Sequence, residues 1–215
     1  MPTIAIIDYD MGNLHSACKG LENAGATTVV TDAATELHRA DAIVLPGVGA
    51  FDPAMQHLRS RHLEQPIKAA IASGKPFLGI CLGLQILFES SEEGTELGLG
   101  ILPGTVKRFH SEPGITIPHM GWNQLEIIQP ECPLWQDLPA DPWLYFVHSY
   151  YAAPTNDEVK AATTTHGSQT VTVAVARDNL MAVQFHPEKS STAGLKILSN
   201  FVQFVAAQQL TQVGR

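Results

Sequence analysis

The sequence predicts an α/β protein with a mostly parallel central sheet, helices on both faces, and additional antiparallel strands in the C-terminal half. Three observations carry this. The first ninety residues alternate short apolar runs with helical patterns, the rhythm of βαβ units. After Glu89 the text turns to β-rich segments separated by Pro, Asn, Asp and Gly. A last helix then carries Leu195, Leu198, Phe201, Val202 and Val205 in register, and this face packs back on the sheet.

The elements follow in order. "TIAIIDY" reads as a buried strand, and Leu14, Ala17, Cys18, Leu21, Ala24 and Gly25 fall on one face of a helix that a glycine stops, which makes Cys18 a core residue. "TTVVT" and "AIVLPG" repeat the strand signal, with "DAATELHRA" between them starting on an N-cap aspartate, Asp32. One helical stretch runs from about Asp52 to Ser73. "KPFLGI" is a buried strand leading into Cys81, and "LGLQILFES" reads as the helix that follows. "SSEEGTELGLG" is acidic and glycine-rich, an exposed loop. Strands are expected in "GWNQLEII", "WLYFVHSYYAA", "EVKAATT", "TVTVAVAR" and "LMAVQFH". There is no internal repeat, linker or low-complexity tract, so residues 1–215 are expected to form one domain.

Bulk properties narrow the function. With 45% apolar and 16% charged residues the chain is ordinary globular text. No stretch approaches a membrane span, and the N-terminus reads as lacking a signal peptide, so a cytoplasmic setting is expected. A formal charge of -8 with no long basic run argues against a nucleic-acid surface. Cys18, Cys81 and Cys132 are too scattered for a disulfide framework or a zinc site, so each is expected to be a free thiol and no metal is called for.

Gly79-Ile80-Cys81-Leu82-Gly83 has the spacing of a nucleophile elbow with cysteine as the nucleophile, placed between a strand and a helix as that motif requires. Small residues two before and two after let strand and helix approach, and the corner sets the thiol at a helix start, where unpaired N–H groups favour thiolate. The Leu82 N–H would face an oxyanion. The bland alternative is a buried cysteine in a tight turn. His186 ends a strand before Pro187, which pushes it toward an extended conformation, and Glu188 two residues on shares its face. Together they make a base and its orienting carboxylate, with an ordinary strand-ending turn as the alternative. "LPGVGAF" can present a second oxyanion N–H at the carboxyl edge of the sheet, or it is a turn that needs glycine for positive φ.

These residues match a known pattern. The stretches "IIDYDMGNLHSACKGLENAG", "LPGVGAFDPAM", "KPFLGICLGLQILFESSEEG", "IPHMGWNQL", "YFVHSYY" and "VQFHPEKSS" span nearly the whole chain, which resembles the class I, triad-type glutamine amidotransferases. Within that class, "PGVG" and "PHMGWN" are similar to the glutaminase subunits of imidazole glycerol phosphate synthases. The resemblance implies a flavodoxin-like architecture and a reaction in which Cys81 attacks the glutamine carboxamide, forming a thioester and releasing ammonia. His186 is then the base and acid, Glu188 its orienter, and Val48, Gly49 and Leu82 the oxyanion hole. Gly49, Gln85, Ser149 and Tyr150 hold L-glutamine. Asn123, Tyr145 and Lys189 face a cyclase subunit, the heterodimer partner, which receives the ammonia for histidine biosynthesis. No cofactor is implied.

One departure stands out: Asp10 occupies a place where the family more often has glycine, and aspartate tolerates left-handed backbone better than most residues. The resemblance also implies an oxyanion turn that aligns only when the partner's substrate binds. Two other readings remain open at this stage. One is a free-standing Cys–His hydrolase, and the other is a partner-binding module without catalysis.

Overall fold

The computed structural model describes residues 1–213. The N-terminal half runs β1 (Thr3–Ile7), α1 (Leu14–Asn23), β2 (Thr27–Thr31), α2 (Ala34–Arg39), β3 (Ala42–Gly47), α3 (Phe51–Ser60), α4 (Glu64–Ala72), β4 (Phe77–Cys81) and α5 (Leu82–Gln85). It continues with β5 (Ser90–Ser91), β6 (Gly104–Arg108), β7 (His119–Gln124), β8 (Glu126–Ile127), β9 (Trp143–His148) and β10 (Tyr150–Pro154). β11 (Lys160–His166), β12 (Gln169–Arg177), β13 (Leu180–Val183) and α6 (Ser191–Val213) complete it.

The strands β2-β1-β3-β4-β13 lie side by side and parallel. This is the order of a flavodoxin-like doubly wound sheet, whose ligands bind beyond the carboxyl ends of the strands. β3 and β4 are buried along their whole length, which is why they read as unbroken apolar runs and not as alternating patterns. Alternate residues face opposite layers. Ile4, Ile6, Val44, Leu78 and Ile80 pack with Leu21 of α1 and Leu198, Phe201 and Val205 of α6. Ala5, Ile7, Ile43 and Leu45 pack with Leu37 of α2, Met55 and Leu58 of α3 and Ile67 of α4. Each such side chain stabilises the fold by roughly 1.5–3 kcal/mol through burial.

Beyond β13 the sheet turns antiparallel through β12, β10 and β6, with β11 against β12, while β7 and β9 form a separate antiparallel ribbon. The expected antiparallel extension is therefore present.

Several local expectations change. The residue before α2 is Ala33, not Asp32, and makes no side-chain cap. The helical stretch from Asp52 to Ser73 is two helices, broken at His62, whose φ is 57°. The helix after Cys81 is a single turn, because Ile86, Leu87 and Phe88 are buried core residues whose burial does not depend on continuing it. The acidic loop is partly tucked in: Ser90–Ser91 joins β6, and the Asp52 carboxylate accepts the Thr95 and Glu96 N–H groups. "WLYFVHSYYAA" is two strands in different sheets, parted at Ser149.

Candidate active site

Cys81 closes β4 with φ 56° and ψ −108°, a conformation that side-chain-bearing residues rarely adopt and that stores about 1–3 kcal/mol. The glycines around it explain how the chain tolerates the corner. A Cβ on Gly83 would lie 1.9 Å from the Leu45 carbonyl oxygen of β3, and one on Gly79 would lie 2.7 Å from the Gly83 oxygen. Strand, turn and neighbouring strand are in backbone contact. Only one helical turn follows, so the dipole expected from a long helix is small here, and the local amides of Leu82 and its neighbours remain the electrostatic asset.

β13 lies beside β4 and delivers His186 to the same edge. The His186 N–H donates to the Tyr145 carbonyl at 3.0 Å, and the Ser190 hydroxyl donates to the His186 carbonyl at 2.6 Å, so the backbone is held on both sides. His186 Nδ1 sits 2.8 Å from Glu188 Oε1, and both side chains are only 3% exposed. Residues Pro187–Lys189 form a turn of 3-10 helix. Glu188 thus reaches the imidazole by curling back, not along an extended segment as the sequence pattern suggests. Burial acts to lower the His186 pKa, but hydrogen bonding and charge from Cys81 and Glu188 outweigh it and raise the value to about 10. The other Glu188 oxygen has no hydrogen-bond partner.

A cavity of about 330 Å³ opens over this edge, lined by Val48, Gly49, Cys81, Leu82, Gln85, Ser149, Tyr150 and His186, and also by Glu93, Pro118, Val147 and His148. The structure therefore gathers every residue expected at the oxyanion and glutamine positions, with Glu188 behind His186. Asn123, Tyr145 and Lys189 do not line it. Asn123 donates to the Thr165 carbonyl at 2.9 Å, and the Tyr145 ring packs edge-on against Trp122, which is half exposed beside exposed Met120.

Val48 lines the cavity, but its N–H donates to the Met11 carbonyl at 2.6 Å and is turned away from the thiol. Gly49 follows at φ 101°. Asp10 has φ 65°, in the left-handed region, and pairs with Arg61. Tyr9 lies fully buried beneath this turn; burial and the nearby Cys81 raise its pKa, and its hydroxyl has no hydrogen-bond partner.

Sequence reasoning missed Glu93 and His148. Glu93 Oε2 accepts the Phe51 N–H at 2.9 Å at the start of α3, which holds a carboxylate at the cavity wall. Its signal is the acidic run after the elbow, which reads only as a loop. His148 is 6% exposed, and its pKa is pushed down to about 3, first by burial and then by His119, His166 and His186. Among the described residues, no group of three or more His, Cys, Asp or Glu could hold a metal ion, and no helix is long and apolar enough to cross a membrane. Cys18 packs partly buried and Cys132 fully buried, away from the cavity, with burial raising both thiols, Cys132 to about 11.

Comparison with known proteins bears on what this arrangement does. The family model for class-I glutamine amidotransferases matches residues 5–204. The imidazole glycerol phosphate synthase subunit HisH of Acaryochloris marina is 74% identical, over 98% of this chain and 99% of that protein. The subunit of the same name from Microcystis aeruginosa is 73% identical over 95% and 97%. Among solved structures, a GMP synthase subunit of Thermoplasma acidophilum superimposes with a TM-score of 0.76 at 22% identity, covering 99% of this chain and 98% of that one. PurLQS from Thermotoga maritima gives 0.74 at 20% identity over 95% and 99%. At such identities these two speak for the fold.

Proposed function

The chain belongs to the class-I glutamine amidotransferases, and from that premise we propose that it is the glutaminase subunit of an imidazole glycerol phosphate synthase, acting as one amidotransferase domain over residues 1–215. The observation that carries the reading is the convergence of the strained Cys81 corner and the buried His186–Glu188 pair on one cavity wall.

The geometry suits an acyl transfer. L-Glutamine enters with its carboxamide toward Cys81, and the thiolate attacks the carbonyl carbon while imidazolium His186 stands beside it. The oxyanion takes the Leu82 N–H. His186 protonates the departing nitrogen, ammonia leaves, and a thioester remains on Cys81. Water, deprotonated by His186, then releases glutamate. Glu188 keeps the imidazole in place and favours its charged form. Gly49, Gln85, Ser149 and Tyr150 surround the substrate. Glutamine also carries an ammonium group, and Glu93 is the carboxylate among the cavity-lining residues that can pair with it.

The ammonia passes to a cyclase subunit that makes imidazole glycerol phosphate and aminoimidazole carboxamide ribotide in histidine biosynthesis, docked at the face of Asn123, Tyr145 and Lys189. The site of action is the cytoplasm. The engaged Val48 N–H favours a partner-dependent enzyme over a free-standing hydrolase, because the second oxyanion donor is released only if the turn after β3 reorients.

The test is Cys81→Ala in the complex. Glutamine-dependent turnover disappears while turnover with added ammonia persists. Retained glutamine-dependent turnover would show that Cys81 is not the nucleophile.

A further inference from the structure

A line of hydrogen bonds runs from the Asn123 face to the nucleophile, and its polarity is fixed along its length. His119 and His148 stand directly opposite each other in the β7–β9 ribbon, both buried. His148 Nδ1 is 2.8 Å from the Tyr150 carbonyl oxygen, which can only accept, so this nitrogen carries the proton. In the neutral ring Nε2 is then an acceptor, and it faces His119 Nδ1 at 3.2 Å, which must donate. His119 Nε2 is left as an acceptor and meets the Asn123 amide nitrogen at 3.2 Å. The array is self-consistent with both rings neutral. A proton added to either ring sets two donors against each other at one of these junctions.

The Tyr150 carbonyl continues the line. It also accepts from Gln85 Nε2 at 3.0 Å. Gln85 Nε2 donates to Gln184 Oε1 at 3.1 Å, and Gln184 Nε2 points at Cys81 Sγ at 3.6 Å. The surroundings match this neutral state. His119 stacks on His166 of β11 and on Phe146 of β9, Phe109 lies against both buried rings, and His186 is the further charged neighbour of His148. Burial lowers the His119 pKa to about 4.

We infer that His119 and His148 are positioning residues for glutamine turnover: a neutral, tautomer-locked pair that fixes the Tyr150 carbonyl, and through it Gln85 and Gln184, against the reacting thiol. The inference rests on the glutaminase reading but extends it to residues that do not touch the reacting atoms. It also gives Asn123 a second duty, since whatever docks on that face can loosen or tighten the first bond of the line.

Two measurements test it. The first uses the wild-type chain with ¹⁵N-labelled histidine: both rings should be Nδ1-protonated and neutral from pH 8 to pH 5.5. An Nε2–H tautomer, or protonation of either ring in that range, overturns the inference. The second uses the complex with its cyclase, comparing His119→Gln, His148→Gln and His148→Leu. Loss of a hydrogen bond from a buried line predicts a KM for glutamine raised about tenfold in His119→Gln, with kcat changed much less. His148→Gln, which keeps a donor toward Tyr150, should lie between wild type and His148→Leu, and ammonia-dependent turnover should not change. A lowered Tm with an unchanged KM in His119→Gln would reduce the pair to packing and overturn the inference. If wild type fails to hydrolyse glutamine, the glutaminase reading falls and the positioning role with it, whereas the tautomers are read independently of activity.

Discussion

His186 and His148 lie on the same cavity wall, 2% and 6% exposed, and yet their protons behave in opposite ways. His186 faces a carboxylate and a thiol, and its pKa rises to about 10; His148 faces a carbonyl and another imidazole, and its pKa falls to about 3. Burial pushes both in the same direction, so the partner decides the sign. One histidine is built to hold a positive charge beside a nucleophile. The other is built never to hold one, and so can serve as a fixed dipole.

The contrast breaks most sharply at Glu188. Glu188→Gln keeps the shape but removes the charge that favours imidazolium, and glutamine-dependent kcat should fall about a thousandfold, by analogy with removal of the carboxylate from a triad. Steady-state kinetics of the complex, with ammonia as control substrate, checks this; a loss below tenfold would mean that Cys81 alone sustains the charge.

A second test uses folding. His119 and His148 have native pKa values below the unfolded value near 6.5, so the unfolded chain binds more protons than the native one as pH drops. The stability they provide is present above about pH 6.5 and is lost as pH falls toward 4, with a slope of up to about 2.7 kcal/mol per pH unit for the two together. His186 has the reverse sign: its contribution is complete below about pH 6.5 and is lost as pH rises through about 10. Urea denaturation from pH 4.5 to 10 should therefore show two limbs, and His148→Gln should flatten only the acid limb.

The smallest effect is expected at Tyr9. Its buried hydroxyl has no partner, so Tyr9→Phe should leave stability unchanged or raise it by about 1 kcal/mol. A loss above that in chemical denaturation would reveal a hydrogen bond formed in another arrangement of the neighbouring turn.

The two histidines also differ in how visible they are in the sequence. His186 announces itself because its partner is two residues away and Pro187 shapes the turn between them. The elbow is equally local, since Gly79 and Gly83 bracket the thiol within five residues. The βαβ rhythm likewise reveals the parallel half. His119 and His148 meet only through the register of β7 with β9, twenty-nine residues apart, and nothing short-range in either strand encodes that pairing. Glu93 needs the closure of a loop over α3. The run after Gln85 misleads for a different reason: Ile86, Leu87 and Phe88 are apolar because the core surrounds them, and an apolar run without clear period fits a helix or a buried coil equally well.

The contact between Gly83 and the Leu45 carbonyl has a practical consequence for anyone scanning this chain by mutation. Even alanine at position 83 would force β3 and the elbow apart, so an activity screen will score that position as severely as Cys81 itself. The two losses have different remedies. A Cys81 variant should still fold and support turnover with ammonia, whereas a Gly83 variant should show its defect first as poor yield of folded protein, and a screen that counts colonies alone would enrol a piece of backbone clearance among the catalytic residues.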